Sequence, residues 1–165
     1  MKSLIVCLLT CFSIIAVGCV APDKPVYHEV TYDYDVQVDF GQINSYNWVK
    51  MPATSRIEQF NQTRIKDVVN IEMIAKGLKI EPDNPDVFLV MYGGGYKAID
   101  MTVMTDYAVY DVGRLKLAMY DAASLEEIWW GESRADLFHE MTPAQKDEVI
   151  KKSVRRILEL YPPQP

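Results

Sequence analysis

All three cysteines of this 165-residue chain, Cys7, Cys11 and Cys19, lie in its first 19 residues. The sequence after Cys19 therefore has no thiol with which to build a disulfide or a cysteine-ligated zinc site. A domain formed by that sequence must be held together by burial of apolar surface. The composition allows this, because 49% of the residues are hydrophobic and 11% are aromatic, whereas disordered chains are poor in both classes. We expect one compact core.

The N-terminal residues have the pattern of an export signal. Lys2 precedes a mostly apolar run from Leu4 to Val17, and Gly18-Cys19 follows the run. As a helix this run would span about 21 Å, which is short of the roughly 30 Å hydrocarbon core of a bilayer. A cleaved signal is therefore a better interpretation than a permanent transmembrane helix.

The end of this run, Ile14-Ile15-Ala16-Val17-Gly18-Cys19, resembles a bacterial lipobox, although Ala16 stands where Leu is most frequent. The resemblance implies cleavage between Gly18 and Cys19, acylation of the Cys19 thiol and a membrane anchor. Residues 1–18 are then a signal peptide, and residues 19–29 are the lipidated cysteine and its tether. Ordinary secretory cleavage at small residues is the alternative, but it would leave an unpaired thiol in an oxidising compartment. Val20 replaces the Asp that retains many Gram-negative lipoproteins in the inner membrane, so the resemblance implies the periplasmic face of the outer membrane.

Residues 30–162 predict a single domain that contains several strands. Polar and apolar residues alternate from Val30 to Phe40, which is typical of a half-buried strand, and Tyr46–Val49 predicts a second strand paired antiparallel with the first. The apolar run 86–92 predicts a central strand buried on both faces. Alternation over 115–119 and the run 128–130 predict a hairpin, with its turn at 121–127.

Two helices are also predicted. Ser55 to Glu58 matches a capping box for a helix that ends at Lys76, with Gly77 as the left-handed residue that follows. Its predicted core-facing residues are Ile57, Phe60, Val68, Ile71 and Ala75. Thr142 and Pro143 begin a second helix, whose apolar stripe consists of Ile150, Ser153, Val154, Ile157, Leu158 and Tyr161. We therefore predict an α+β two-layer sandwich, with a mainly antiparallel sheet of about five strands and both helices on one face.

Several short motifs follow one another in a characteristic order along residues 30–162. They are Tyr32-Asp33-Tyr34-Asp35, Tyr46-Asn47-Trp48, Arg64-Ile65, Pro85-Asp86-Val87-Phe88-Leu89-Val90, Gly113-Arg114-Leu115, Ile128-Trp129-Trp130-Gly131 and Leu160-Tyr161-Pro162. Together they resemble a family of bacterial lipoproteins known only as domain of unknown function 4136. The resemblance covers nearly all of the sequence after the tether, and it implies no catalytic residues.

Charge and spacing weigh against several ligand classes. The net charge of −6 and the pI near 4.9 argue against nucleic-acid binding, which requires clustered cations. Asp33, Asp35 and Asp39 could gather a cation, but a solvated strand face explains them better, because no glycine follows at the sixth position of a calcium loop. The triple glycine 93–95 could cradle a phosphate, but no helix start follows, so a glycine turn is the better interpretation. We predict neither a metal nor a cofactor.

Nothing in the sequence selects a catalytic site. His28 and His139 are the two histidines, and neither a nucleophile-elbow motif nor a metalloprotease motif accompanies them. We therefore predict a non-enzymatic protein. An envelope hydrolase with a carboxylate or histidine site is the alternative.

A binding surface is predicted from two groups of residues. Trp129 and Trp130 are neighbours on a strand and must point to opposite faces, so one indole is available for a partner unless a helix or loop covers it. Lys151, Lys152, Arg155 and Arg156 lie off the apolar stripe of the last helix. They favourably oppose the helix dipole, and they could also contact anionic lipid or glycan. The expected function is a binding or envelope-assembly module, facing the periplasm, for an unknown protein, glycan or lipid.

The lipobox-like run predicts that Cys19→Ser releases the protein from membranes, because acyl chains supply the anchoring free energy at about 0.8 kcal/mol per buried methylene. Fractionation of cells should find the variant in the soluble periplasmic fraction and the wild type, labelled by palmitate, in the membrane fraction. A variant that still sediments with membranes would contradict anchoring through Cys19.

Overall fold

The computed structural model describes residues 26–50, 57–100, 108–137 and 141–164, and it describes side chains at 27–50, 57–95, 112–136 and 141–164. The predicted signal peptide, the Gly18–Cys19 cleavage site, Ser55 and His139 lie outside the described residues. The elements in chain order are β1 (Val26–Tyr27), β2 (Thr31–Tyr34), β3 (Ser45–Trp48), α1 (Gln59–Ala75), β4 (Lys79–Ile80), β5 (Val87–Asp100), β6 (Ala108–Asp121), β7 (Glu127–Leu137) and α2 (Pro143–Leu158).

These strands form one mostly antiparallel sheet. Its order is β1-β7-β6-β5-β3-β4, and β2 also pairs with β7. Since β1 pairs with residues 135–136 of β7 and β2 with residues 129–132, the two short strands share one edge. The predicted α+β sandwich is confirmed. The described strands number seven rather than about five, and two of them, β1 and β4, have only two residues each.

The strand predicted over Val30–Phe40 is shorter in the structure. β2 ends at Tyr34, and a turn follows in which the carboxylate of Asp35 accepts a hydrogen bond from the Gln37 backbone N–H at 2.9 Å. The carboxylate of Asp39 then accepts from the Gly41 N–H at 3.0 Å and caps a 3₁₀ turn over Phe40–Gln42. The aspartates interrupt the strand because their short side chains bond nearby backbone donors.

β3 does not pair with the first strand, as we had expected from the short connection between them. It lies parallel to β5 and to β4, at the opposite end of the sheet from β2. The Asp86 carboxylate accepts hydrogen bonds at 2.8 Å from the Asn44 N–H, at 2.9 Å from the Ser45 N–H and at 2.9 Å from the Ser45 hydroxyl. These bonds, led by that from Asn44, lower the pKa of Asp86 and fasten the start of β3 to the start of β5.

One face of the sheet packs against both helices and forms the core; we call it the inner face. Alternate residues of the three long strands, among them Leu89, Leu117 and Trp129, are buried there. Two ion pairs link the helices to each other: Arg64 with Asp147 at 2.6 Å, and Arg155 with Glu72 at 2.9 Å.

The core-facing side of α1 was predicted incorrectly. Its buried residues are Ile65, Val69 and Met73, whereas Phe60 is 79% exposed and Ile71 is 64% exposed. Of the predicted set, Ile57 is buried and Val68 partly buried, and Ala75 is exposed. Hydrophobic residues occur on several sides of α1, so periodicity alone could not select the buried side. Glu58 precedes the helix without a side-chain cap, and Gly77 does adopt the expected left-handed conformation, with φ of 93°.

α2 agrees with its prediction. Thr142 and Gln145 form a complete capping box, and Ser153, Val154, Ile157 and Leu158 are buried. Gly131 of β7 allows the close approach of this helix, because a Cβ there would lie 2.7 Å from Cγ2 of Ile157. The same Cβ would lie within 3.2 Å of the Trp129 ring.

The triple glycine is part of a strand rather than a turn. Gly93, Gly94 and Gly95 lie within β5 opposite residues 113–115 of β6. Gly93 is needed on the inner face, since a Cβ there would meet the Arg114 carbonyl oxygen at 2.8 Å and Ile57 at 3.1 Å. The loop geometry of a phosphate cradle is therefore not formed by these residues.

Neither of the two described helices has the length and apolar character needed to cross a membrane.

Ile157 and Ile71 offer a matched test of the two helix faces, because the first is fully buried and the second is 64% exposed. Ile157→Ala should lower the free energy of unfolding by about 2 to 5 kcal/mol through the lost transfer energy and the cavity left behind. Ile71→Ala should change it by about 0.5 kcal/mol or less. Urea denaturation followed by tryptophan fluorescence measures both, and equal losses would contradict the assignment of faces.

Candidate functional site: the outer face of the sheet

The other face of the sheet, which we call the outer face, is not covered by either described helix. Its side chains come from the positions that alternate with the core residues on β5, β6 and β7. They include Phe88, Val90, Tyr92, Arg114, Lys116, Tyr120, Trp130, Glu132 and Arg134. Aromatic rings and charged groups thus share an accessible face.

Four of these residues and their neighbour Glu127 form a polar network. The Tyr92 and Tyr120 hydroxyls lie 3.1 Å apart, and the Tyr120 hydroxyl donates to Oε2 of Glu127 at 3.1 Å. The Nζ of Lys116 donates to the same carboxylate oxygen at 3.1 Å and lies 4.7 Å from the centroid of the Trp130 ring. The pKa of the Tyr120 hydroxyl is raised, most strongly by its hydrogen bond with Tyr92 and less strongly by burial and by the bond to Glu127. That hydroxyl therefore stays protonated and serves as a donor.

A buried carboxylate lies beside this network. Glu132 is only 4% exposed, although it is on the outer face. Its Oε2 accepts from Nε of Arg114 at 2.6 Å, and its Oε1 accepts from Nε of Arg134 at 2.8 Å. Two cations therefore neutralise one anion, and this triad keeps a net positive charge.

An open groove runs along β5 and β6 next to these groups. Its volume is about 480 Å³, and it is lined by Tyr92, Gly93, Gly94, Gly95, Arg114, Lys116 and Tyr120. The volume falls within the range of roughly 300 to 1,000 Å³ that is usual for ligand sites. Both charged residues of the lining are basic.

The two predicted tryptophans are separated as strand alternation requires. Trp130 is part of the outer face, but Trp129 is fully buried beneath α2, with its ring centroid 5.4 Å from that of Tyr161. Trp129 is therefore removed from the predicted binding surface. Its role is in the core.

The four predicted basic residues of α2 lie away from the groove, since the helix packs on the inner face. Lys151 pairs with Glu148 at 3.1 Å, and Arg155 pairs with Glu72 of α1. Lys152 lies 4.2 Å from the ring centroid of Tyr27, and Arg156 donates to the His28 carbonyl oxygen at 2.6 Å. These contacts hold the N-terminal strand against α2, which gives Lys152 and Arg156 a structural role that the sequence did not indicate.

The remaining candidate groups do not assemble into a site. Among the described residues no cluster of potential metal ligands is present, and Asp33, Asp35 and Asp39 instead accept hydrogen bonds from nearby backbone N–H groups. His28 lies 2.7 Å from a carboxylate oxygen of Asp136, and this is the one hydrogen bond of its ring within the described part of the chain. The base and orienting partner of a hydrolase would be present, but none of the described hydroxyl groups is bonded to the ring.

No motif in the sequence indicates that the five polar residues of this site lie together: Tyr92, Arg114, Lys116, Tyr120 and Glu127. Arg114 and Lys116 were visible as the polar positions of an alternating strand, and Tyr92 as the end of an apolar run. The register of β5 with β6, which places Tyr92 opposite Lys116, is a tertiary property.

Comparison with known proteins places this fold in a family. The sequence profile described as Domain of unknown function (DUF4136) matches residues 30–163. The chain belongs to the DUF4136 family. No curated protein sequence matches the chain.

Solved structures that are similar to this DUF4136 protein share little sequence with it. A PDZ domain protein from Parabacteroides distasonis has 13% identity and a TM-score of 0.62; the alignment covers 86% of this chain and 37% of that one. PelC from Paraburkholderia phytofirmans, a dodecamer, has 10% identity and a TM-score of 0.53, with 81% and 95% of the two chains covered. A minor lipoprotein from Acinetobacter baumannii has 11% identity and a TM-score of 0.44, with 72% and 91% covered. At these identities the first two similarities show the fold alone. This chain spans little more than a third of the PDZ domain protein.

The Glu132 triad predicts unequal effects of removing its members. Glu132→Ala should lower the free energy of unfolding by about 1 to 3 kcal/mol, because two neighbouring guanidinium groups lose their shared acceptor. Arg134→Gln should cost about 1 kcal/mol or less, since Arg114 continues to pair with Glu132 and the arginine side chain is half exposed. Urea midpoints test the order, and a larger loss for the arginine variant would contradict this account of the triad.

Proposed function

We propose that this DUF4136 protein is a lipid-anchored protein of the bacterial envelope that binds a partner through the outer face of its sheet and catalyses no reaction. The observation that carries the proposal is the accessible network of Tyr92, Tyr120, Glu127, Lys116 and Trp130. Aromatic residues and arginine are the side chains that contribute most to binding interfaces. A sheet face that presents them outside the core is better suited to recognition than to packing.

The N-terminal sequence supports the location. The lipobox-like run ending at Cys19 favours acylation, and Val20 favours the outer membrane over the inner membrane. The tether is shorter than the sequence suggested, because β1 already begins at Val26. In addition, Tyr27 and His28 contact α2. A chain of that length reaches at most about 25 Å from the anchor, so the domain would stay close to the bilayer.

The hydrolase alternative is less well supported. It would rest on the His28–Asp136 pair, which lies at the sheet edge where β1 meets β7 and has no nucleophile bonded to it among the described residues. The outer-face network, by contrast, has hydrogen-bonding groups and aromatic rings arranged around a groove.

A photo-crosslinking amino acid placed at Tyr92 should capture the partner in intact cells, because Tyr92 is 44% exposed and borders the groove. The matched control is the same amino acid at Ile71, which is exposed on the opposite, helical layer. Immunoblots should show crosslinked species for position 92 and not for position 71. Absence of crosslinks at both positions, or equal crosslinks, would contradict binding through the outer face.

A further inference from the structure

We propose that the groove on the outer face binds an acidic polysaccharide, that is, a chain of sugar rings that carry carboxylate groups. This inference rests on the proposed function, since it names the class of ligand for the same face. Three features of the groove support it: the donors of Arg114 that have no partner among the described residues, the tyrosine rings at its border and the open shape.

The charges that line the groove suit a carboxylate. Arg114 contacts Glu132 through Nε and its side chain is 49% exposed. Its two terminal nitrogens have no partner among the described residues, so a fork of donors is available to a second carboxylate. Lys116 adds a second cation beside it, but Lys116 is ion-paired with Glu127, so Arg114 is the main charge offered to a ligand.

Among the described residues, Glu132 is the carboxylate that bonds Arg114, and it contacts the guanidinium group through Nε alone. Glu132 is shared with Arg134, and Asp136 is bonded to His28. Asp33 lies on β2, opposite Trp130, and does not line the groove. The attraction for an anion is therefore local, within a protein whose net charge is −6.

The aromatic rings suit a sugar. A sugar ring has polarised C–H groups on its faces and hydroxyl groups around its rim. The negative face of an aromatic ring attracts such C–H groups, and Tyr92 and Tyr120 border the groove with their rings. Their hydroxyls, together with the Glu127 carboxylate, can exchange hydrogen bonds with the rim.

The shape of the groove suits a polymer rather than a small metabolite. Three glycines of β5 form part of its lining, and Gly94, whose position alternates with the inward-facing Gly93, has no side chain to narrow it. The groove lies on the sheet face that neither described helix covers, not inside the core. A linear chain could therefore lie across it with several sugar rings in contact.

The test compares two probes with the same sugar rings, a galacturonate oligosaccharide, which is charged, and its methyl ester, which is neutral. Isothermal titration calorimetry of the full-length protein in detergent should show binding of the acid, and binding of the ester should be at least about tenfold weaker because the ester has no charge for Arg114. Arg114→Gln should weaken binding of the acid by about tenfold, and Tyr92→Ala by about fivefold. Lys151→Gln, which removes a cation from the helical layer, should have no effect.

Thermal unfolding of each variant serves as the folding control. If Arg114→Gln is unstable, Tyr92→Ala still tests the proposal, because Tyr92 is exposed. Equal affinity for acid and ester, or equal losses for Arg114→Gln and Lys151→Gln, would overturn the proposal. Tighter binding of glycerol phosphate than of the oligosaccharide would also overturn it, and would indicate a lipid headgroup. If no sugar binds while crosslinks still form at Tyr92 in cells, the ligand class is wrong but the outer face remains a binding surface.

Discussion

The close contact between α2 and β7 at Gly131 determines how the sheet presents its two faces. Because Gly131 has no side chain, Ile157 can pack directly over the strand and beside Trp129. This contact fixes the odd-numbered positions from Trp129 to Ala135 toward the core. Because successive side chains of a strand point to opposite faces, Trp130, Glu132 and Arg134 then lie on the outer face. A shift of one residue in β7 would exchange the two sets.

A sheet with helices on one side has to keep its other side compatible with water. Its outer face pairs charges closely: Glu132 is held by two arginines, and Glu127 by Lys116 and Tyr120. Such pairing limits the penalty of burying the Glu132 carboxylate. The terminal nitrogens of Arg114 have no partner among the described residues. The same ion pairing that stabilises this face therefore leaves the donors that we propose bind an anion.

The sequence predicted elements well where one strong local signal was present. The capping box at Thr142, the left-handed Gly77 and the alternation of β6 are examples. It failed where two signals competed. Aspartates between Val30 and Phe40 followed the period of a strand but act as turn residues, and apolar residues on several sides of α1 concealed which side is buried. Local propensity cannot resolve such cases, because the free energy that decides them comes from packing.

The sequence by itself determined the class of fold, the family resemblance, the lack of cysteine after position 19 and the opposite orientation of Trp129 and Trp130. Only the tertiary structure decided which of the two indoles is buried, that β3 joins the sheet parallel to β5, and that Tyr92, Lys116 and Glu127 meet at a groove. The physical reason is that periodicity is encoded within each element, whereas register and partner choice depend on contacts between residues far apart in the chain. Here those contacts are the hydrogen bonds that Ser45 donates to the Asp86 carboxylate and the packing of Ile157 on Gly131.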